Sequence, residues 1–169
     1  MCIRDRLREL ISKSQEMYPK IWPGIKWSER KMQWTAPSGA TLWMSYLDKD
    51  QDVTKYQGLA FSWIGFDELT QWATPFAWNY MRSRLRSADP ELPLCMRATT
   101  NPGGRGHHWV KKMFIDPSPA GKSFIATDIE TGEPLKYPAG PANAGRPLFK
   151  RRFIPARLKD NPYLSQQGD

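Results

Sequence analysis

Apolar residues in the first third of the chain follow a helical period and then an alternating one. Residues 7–18 have a helical pattern, and Pro19 is expected to end that helix. The residues near one face of the helix are Leu7, Leu10, Ile11 and Ser14. Two strand-like runs, 31–36 and 40–47, are joined by Pro37-Ser38-Gly39, so we predict a β-hairpin there.

The rest of the chain alternates short apolar runs with helical segments. The predicted elements are a strand at 59–66, a helix at 75–87, a strand at 94–99 and a helix at 107–115. Both strands are continuous apolar runs, which is typical of strands buried in a parallel sheet. Beyond Asp116 the chain is rich in Pro and Gly, with strand-like pieces at 123–127 and 148–154. We therefore expect an α/β fold, a mainly parallel sheet with flanking helices, with a small β-rich excursion after Asp116.

Composition says more about the partners than about the fold. The chain has 25 Lys and Arg against 17 Asp and Glu, and this formal charge of +8 favours a polyanion such as nucleic acid. A basic surface that only keeps the protein in solution is the alternative. No apolar run is long enough to span a bilayer and no signal-peptide pattern is present, so we expect a soluble, intracellular protein. Cys2 and Cys95 do not have the pattern of a disulfide framework or a metal site.

Two carboxylates directly follow the first apolar strand. They are Asp67 and Glu68. In nucleotide-hydrolysing α/β proteins, an Asp at the carboxyl end of a strand holds the water shell of the Mg²⁺ that bridges the β- and γ-phosphates. A Glu after it can accept a proton from the attacking water. The pair therefore fits a Walker B strand with a catalytic Glu, and an acidic pair that only caps the next helix is the equally common alternative.

Polar residues also end the second apolar strand. Thr99, Thr100 and Asn101 follow about thirty residues after Asp67, a separation that suits a strand, a crossover helix and a parallel strand. Their hydroxyl and amide groups could contact a γ-phosphate, and the glycines that follow would let the backbone move. The alternative is an ordinary polar turn before the helix at 107–115.

Several sequence blocks stand in a fixed order with suitable gaps. The blocks are Tyr56-Gln57-Gly58, Ile64-Gly65-Phe66-Asp67-Glu68-Leu69-Thr70, Ser83-Arg84-Leu85-Arg86, Thr99-Thr100-Asn101-Pro102-Gly103-Gly104, the segment from His107 to Phe114, and residues 153–164. Together they resemble the large terminase subunit of tailed phages. The resemblance runs from about Ser38 to Leu164. It implies a P-loop ATPase that drives DNA movement, followed in the whole protein by an RNase H-like nuclease.

The resemblance also implies roles and partners. It assigns Asp67 to Mg²⁺ through water, Glu68 to activation of the attacking water, and Thr99, Thr100 and Asn101 to coupling hydrolysis with movement. ATP would be the substrate. The implied partners are double-stranded viral DNA, a capsid portal, a small terminase subunit and like subunits in a homo-oligomeric ring. The implied location is the host cytoplasm, with transient docking on the procapsid and no membrane contact.

We expect only part of that ATPase in the chain. Residues 1–6 back-translate to ATG TGT ATA AGA GAC AGN, which resembles a sequencing adapter, and we interpret them as an artefact. Residues 7–115 are then a partial ATPase core, and residues 116–169 are an extension and linker toward the nuclease. We expect the P-loop upstream of Leu7, the nuclease downstream, and no activity from the fragment alone. Gly121-Lys122-Ser123 is not a P-loop, because the motif would need Gly at Asp116, and we predict a hairpin turn there.

Three arginines lie within the predicted helix at 75–87. Arg82 and Arg86 are expected to share one helical face, while Arg84 lies off it. They could contact DNA, the nucleotide of a neighbouring subunit, or only solvent.

Two other functions remain open. The first is another P-loop motor, such as a helicase, which would share the acidic strand but would not predict the Asn-Pro-Gly-Gly block. The second is a non-catalytic basic nucleic-acid-binding module, in which Asp67 and Glu68 are structural.

Overall fold

The computed structural model describes residues 3–136, 148–157 and 160, with side chains from residue 6 onward. The chain separates into two compact units, Met1–Gln57 and Gly58–Asp169. The first unit contains α1 (Ile3–Ile21), β1 (Lys26–Ser28), β2 (Gln33–Thr35), β3 (Thr41–Trp43) and a 3₁₀ helix (Asp50–Tyr56). The second contains β4 (Trp63–Phe66), a 3₁₀ turn (Leu69–Gln71), α2 (Phe76–Arg82), β5 (Cys95–Ala98), α3 (His107–Val110) with a π-helical turn (Lys111–Ile115), β6 (Ser123–Ile125) and β7 (Lys150–Arg152).

The first unit packs α1 against a three-stranded antiparallel sheet. The predicted hairpin is confirmed: β2 and β3 pair antiparallel, and Gly39 in the turn has a φ of 86°. The strand β1, which the sequence pattern did not predict, pairs with β2. Trp34 is buried and donates a hydrogen bond of 3.0 Å from Nε1 to the hydroxyl of Ser14, which links the sheet to the helix. Of the four residues predicted to lie near one helical face, Leu7, Ile11 and Ser14 are buried, whereas Leu10 is exposed.

The end of α1 differs from the prediction. Pro19 lies inside the helix, which continues to Ile21. Proline lacks the N–H that would donate to the carbonyl four residues earlier, so the helix loses one hydrogen bond at Pro19 yet continues for two more residues. The Trp22 N–H then donates to the Tyr18 carbonyl at 2.8 Å and closes the helix end.

The second unit is built around a parallel strand pair. The strands β4 and β5 pair in parallel, in a register that sets Trp63 opposite Cys95 and Phe66 opposite Ala98. The strand positions and their pairing were predicted, but the expected burial of both strands is wrong: Ile64 is the one buried residue of β4 and β5, and Trp63, Gly65, Arg97 and Ala98 are exposed. The fold is mixed α/β with small sheets, and within residues 3–136, 148–157 and 160 the parallel pairing is confined to two strands and one isolated bridge. The larger parallel sheet with flanking helices that we expected is therefore not seen there.

The helix α2 ends at Arg82, so the predicted extent to residue 87 is wrong. Beyond this point the chain pairs with the residues before β4: the Phe61 N–H donates to the Arg84 carbonyl at 2.9 Å, and the Arg86 N–H donates to the Phe61 carbonyl at 3.0 Å. Extended pairing has replaced helical hydrogen bonds. Arg84 and Arg86 therefore lie outside the helix, and the shared helical face predicted for Arg82 and Arg86 does not exist.

The core of the second unit lies beside the parallel pair. Its buried members are Leu69, Trp78, Trp109, Val110 and Met113. The β-rich excursion after Asp116 is confirmed, because β6 and β7 pair antiparallel. Gly121 has a φ of 79° in a turn that leads into β6, but β6 pairs with the distant β7, so this turn does not join two strands of a hairpin. No helix in the described part of the chain is both long and apolar enough to cross a membrane.

Candidate nucleotide-hydrolysis site

The two predicted groups of polar residues meet at one edge of the parallel pair. We call this group the strand-end site and define it as Asp67, Glu68, Thr99, Thr100 and Asn101. Since Phe66 is opposite Ala98, the residues after β4 and β5 emerge side by side. The backbone continues the pairing, because the Leu69 N–H donates to the Thr99 carbonyl at 2.9 Å. The strand register therefore places all five residues at the carboxyl edge, where ligands of α/β sheets bind.

Side chains connect the two strand ends directly. The hydroxyl of Thr99 donates to Oδ1 of Asp67 at 2.5 Å. The amide Nδ2 of Asn101 donates to Oε1 of Glu68 at 3.0 Å. Thr99 also accepts a longer hydrogen bond, 3.4 Å, from the Glu68 N–H. Each carboxylate after β4 is thus held by one polar side chain after β5, which fixes the direction in which its remaining oxygens point.

Glu68 has an unusual backbone conformation. Its φ and ψ are 54° and 55°, in the left-handed region. Among the residues described, Met32 is the other non-glycine residue with positive φ. This conformation costs a residue with a Cβ roughly 1–2 kcal/mol. Strained residues of this kind concentrate at functional sites, where surrounding contacts hold them in place.

A buried threonine supports the site, and the sequence reasoning gave it no role. Thr70 is 4% exposed. Its N–H donates to the Thr100 hydroxyl at 3.1 Å, that hydroxyl donates to the Thr70 hydroxyl at 2.8 Å, and the latter donates to the Asn101 carbonyl at 3.1 Å. In this chain of hydrogen bonds the Thr70 N–H, the Thr100 hydroxyl and the Thr70 hydroxyl each donate once. It positions Thr100 and Asn101 relative to the segment that follows Glu68.

Glycines after the site pack against the same segment. Gly103 and Gly104 have φ values of 96° and 78°, which favour glycine. The Gly106 N–H donates to the Thr70 carbonyl at 2.8 Å. A Cβ on Gly106 would lie 2.1 Å from the Trp72 carbonyl oxygen, so no side chain fits there. The turn is therefore packed closely against this segment at Gly106. At Gly103 and Gly104 its backbone has positive φ values, which favour glycine.

The donor set suits a magnesium ion that is held mainly by phosphates and water. Asp67 is exposed and offers carboxylate oxygens, and the adjacent Thr99 offers a hydroxyl. Mg²⁺ prefers such hard oxygen ligands and is commonly bound through one or two carboxylates plus substrate phosphates. No cluster of three or more His, Cys, Asp or Glu side chains that could hold a metal occurs among the described residues.

The three predicted arginines take separate places. The guanidinium of Arg82 lies 4.7 Å from the centre of the Phe149 ring. Arg84 lies 5.4 Å from the centre of the Tyr80 ring. Arg86 donates to the carbonyls of Gly58 and Leu59, at 3.2 and 3.3 Å. They do not form one basic stripe.

Comparison of the chain with protein-family models, with curated proteins and with solved structures gave no match. The contacts among the residues of the strand-end site are therefore the basis for inferring a function.

Proposed function

We propose that the chain is part of the ATP-driven motor that packages viral double-stranded DNA into a capsid, as the ATPase of a terminase large subunit. One observation carries the proposal: the parallel pairing of β4 and β5 joins Asp67 and Glu68 to Thr99 and Asn101 through hydrogen bonds. An acidic pair that only capped the next helix would not need polar partners on a second strand.

Each residue of the strand-end site has a role in this proposal. Asp67 would hold a Mg²⁺ ion through water, and the ion would supply positive charge against the phosphates of ATP. Glu68 accepts a proton from the attacking water. Asn101 donates to Oε1 of Glu68 at 3.0 Å and so holds that carboxylate beside the end of β5. Thr99 and Thr100 lie beside them and link the site to the turn that follows β5.

DNA is the proposed polyanion. The formal charge of +8 favours contacts to phosphates, which bind DNA without reading its sequence. The portal, the small terminase subunit and neighbouring subunits of a ring are the further partners that this function requires.

The test uses the chain extended by the coding sequence upstream of Leu7. The proposal requires a P-loop there, because the 169 residues contain none. In the extended protein, Glu68→Gln should retain ATP binding and lose about 10²–10⁴-fold in hydrolysis, because the amide keeps the shape but cannot take a proton. Glu91→Gln, at an exposed loop position outside the site, is the matched control and should hydrolyse ATP normally.

The same protein separates the alternatives. Turnover unaffected by Glu68→Gln would remove Glu68 from the reaction. DNA binding that falls with salt, with no ATPase in any variant, would favour a basic binding module instead. Unwinding of a duplex, rather than its movement into a procapsid, would favour a helicase. Asp67→Asn should raise the Mg²⁺ concentration needed for half-maximal turnover, since the lost charge faces the metal.

A further inference from the structure

A second group of polar residues encloses a small cavity away from the strand-end site. The cavity has a volume of about 60 Å³. The residues that line it are Asn79, Arg82, Met113, Thr127, Asp128, Ile129, Leu135 and Arg151. We call it the two-arginine cavity. It shares no residue with the strand-end site, and the sequence pattern gave no sign of it, because Arg82 and Arg151 lie far apart in the chain.

Arg151 is buried without full compensation of its charge. It is 6% exposed, and one guanidinium nitrogen donates to the Thr127 carbonyl at 2.9 Å. Its Nε is buried and has no hydrogen-bond partner. Burial is the main cause that lowers the pKa of Arg151 to about 10, and the positive charge of Arg82 lowers it further. Burial also lowers the pKa of Arg82.

The charges nearby do not neutralise the two arginines. Within residues 6–136, 148–157 and 160, no carboxylate forms an ion pair with Arg82 or Arg151. Asp128 raises the pKa of Arg151, but its Oδ1 accepts hydrogen bonds of 2.9 Å from the N–H groups of Glu130 and Thr131. The ring of Phe149 lies 4.7 Å from Arg82 and 5.4 Å from Arg151, and the ring of Phe114 lies 5.6 Å from Arg151; these aromatic rings carry no net charge and do not neutralise the two cations.

Two cations that lack ion-pair partners and line one cavity destabilise the fold unless an anion binds between them. A buried charge without a partner is destabilising, and guanidinium groups bind planar or tetrahedral oxyanions through several N–H donors. We propose that the two-arginine cavity binds a small oxyanion of the phosphate class, with the guanidinium groups of Arg82 and Arg151 and the amide of Asn79 as donors. This inference does not depend on the proposed function.

The size of the cavity favours a free phosphate ion over a phosphate of the DNA backbone. The cavity volume of about 60 Å³ is several times the roughly 10–15 Å³ that holds one buried water. A tetrahedral ion fits in such a space, whereas a backbone phosphate would have to enter with a sugar on each side. The shared chemistry is the phosphoryl oxygen, and the experiment distinguishes the two sources.

The test is thermal unfolding and calorimetric titration of the full 169-residue chain with inorganic phosphate at low millimolar concentration and constant ionic strength. At a concentration of about one hundred times Kd, linkage predicts a rise in Tm of roughly 5–10 °C. Sodium chloride at equal ionic strength should give no such rise. In Arg82→Met, phosphate affinity should fall at least about tenfold, the loss expected for a charge-assisted hydrogen bond.

Arg152→Met is the matched control. Arg152 adjoins Arg151 on β7 but is exposed and donates to the Ser123 hydroxyl at 3.0 Å. The control loses the same charge and should keep the phosphate response. Arg151→Met should also lose phosphate binding; if this variant does not fold, Arg82→Met alone decides the question.

Three results would overturn the proposal. The first is an equal phosphate response in the wild type, Arg82→Met and Arg152→Met, which would indicate only general salting-out. The second is a higher Tm for Arg82→Met than for the wild type with no phosphate binding to either protein, which would show that the two charges only repel each other and that no anion joins them. The third is loss of duplex-DNA binding in Arg82→Met with no binding of inorganic phosphate to the wild type, which would identify the cavity as a DNA contact.

Discussion

Glu68 combines a strained backbone with a reactive side chain. Its φ of 54° is one that glycine adopts freely and glutamate does not. The position nevertheless carries a carboxylate that accepts a hydrogen bond from Asn101. A residue kept in a costly conformation is best explained by what its side chain does. The strain therefore supports a functional role for Glu68 independently of its place after an apolar strand.

The strain predicts an inverted order of stability at this residue. Glu68→Gly should be more stable than Glu68→Ala by about 1 kcal/mol, because glycine has no Cβ to clash in the left-handed region. Urea unfolding of the two variants measures the difference. At His108, an exposed residue of α3, the order should be the reverse, with Ala above Gly by roughly 0.5–1 kcal/mol. Equal stability of the two Glu68 variants would show that the backbone there is not strained.

At the scale of elements, the sequence predicted those features that depend on a local pattern of apolar residues. Continuous apolar runs located β4 and β5, and the intervening length predicted that they pair in parallel. The meeting of Asp67 and Glu68 with Thr99 and Asn101 follows from that pairing. The sequence alone therefore predicts that the two carboxylates and their partners lie close together.

Non-local pairing explains what the sequence did not predict. The helix α2 ends at Arg82 because the following residues bond to Phe61, a partner that no helical pattern reveals. Thr70 appeared as one polar residue after a motif, yet its burial depends on the glycine turn that packs over it. The two-arginine cavity requires β7 to pair with β6, far away in the chain. Each miss arises where contacts between distant segments decide the outcome.

The docking of the turn after β5 can be tested at Gly106. Gly106→Ala places a methyl group 2.1 Å from the Trp72 carbonyl oxygen, so the turn must shift. Its φ of −93° suits alanine, and the whole effect is therefore steric. We expect a loss of about 1–3 kcal/mol in the free energy of unfolding, typical of overpacking.

Gly121→Ala serves as the comparison for Gly106→Ala. A methyl group on Gly121 meets nothing within 4 Å, but φ there is 79°. This variant should lose only the backbone cost, roughly 1–2 kcal/mol. A Gly106→Ala protein as stable as the wild type would show that the turn is not docked on the segment from Thr70 to Trp72.

For the whole molecule, the central question is how hydrolysis at the strand-end site would move DNA. Thr100 and Asn101 contact the segment from Glu68 to Thr70, and the glycine turn follows them directly in the chain. An element with two arrangements, biased by contacts to a phosphate group, is the general requirement for such a switch. Gly103 and Gly104 supply a backbone that can change conformation, whereas Gly106 is held by the Thr70 carbonyl. The hinge would therefore lie between Asn101 and Gly106.

This arrangement predicts that Asn101 couples hydrolysis to movement. In the protein extended to include a P-loop, Asn101→Ala removes the donor to Oε1 of Glu68 and the side chain nearest the hinge. Nucleotide affinity should stay within a few-fold, while the length of DNA packaged per ATP hydrolysed falls. ATPase, packaging and Tm are measured on one preparation, with Thr131→Ala, which removes a side-chain hydrogen bond from a turn, as the control for general loss of stability. A turn-holding Asn101 would instead give a lower Tm with unchanged packaging per ATP, and that result would reject the coupling role. The distinction holds because stability changes how much protein is folded, whereas coupling changes what each folded motor does with one ATP.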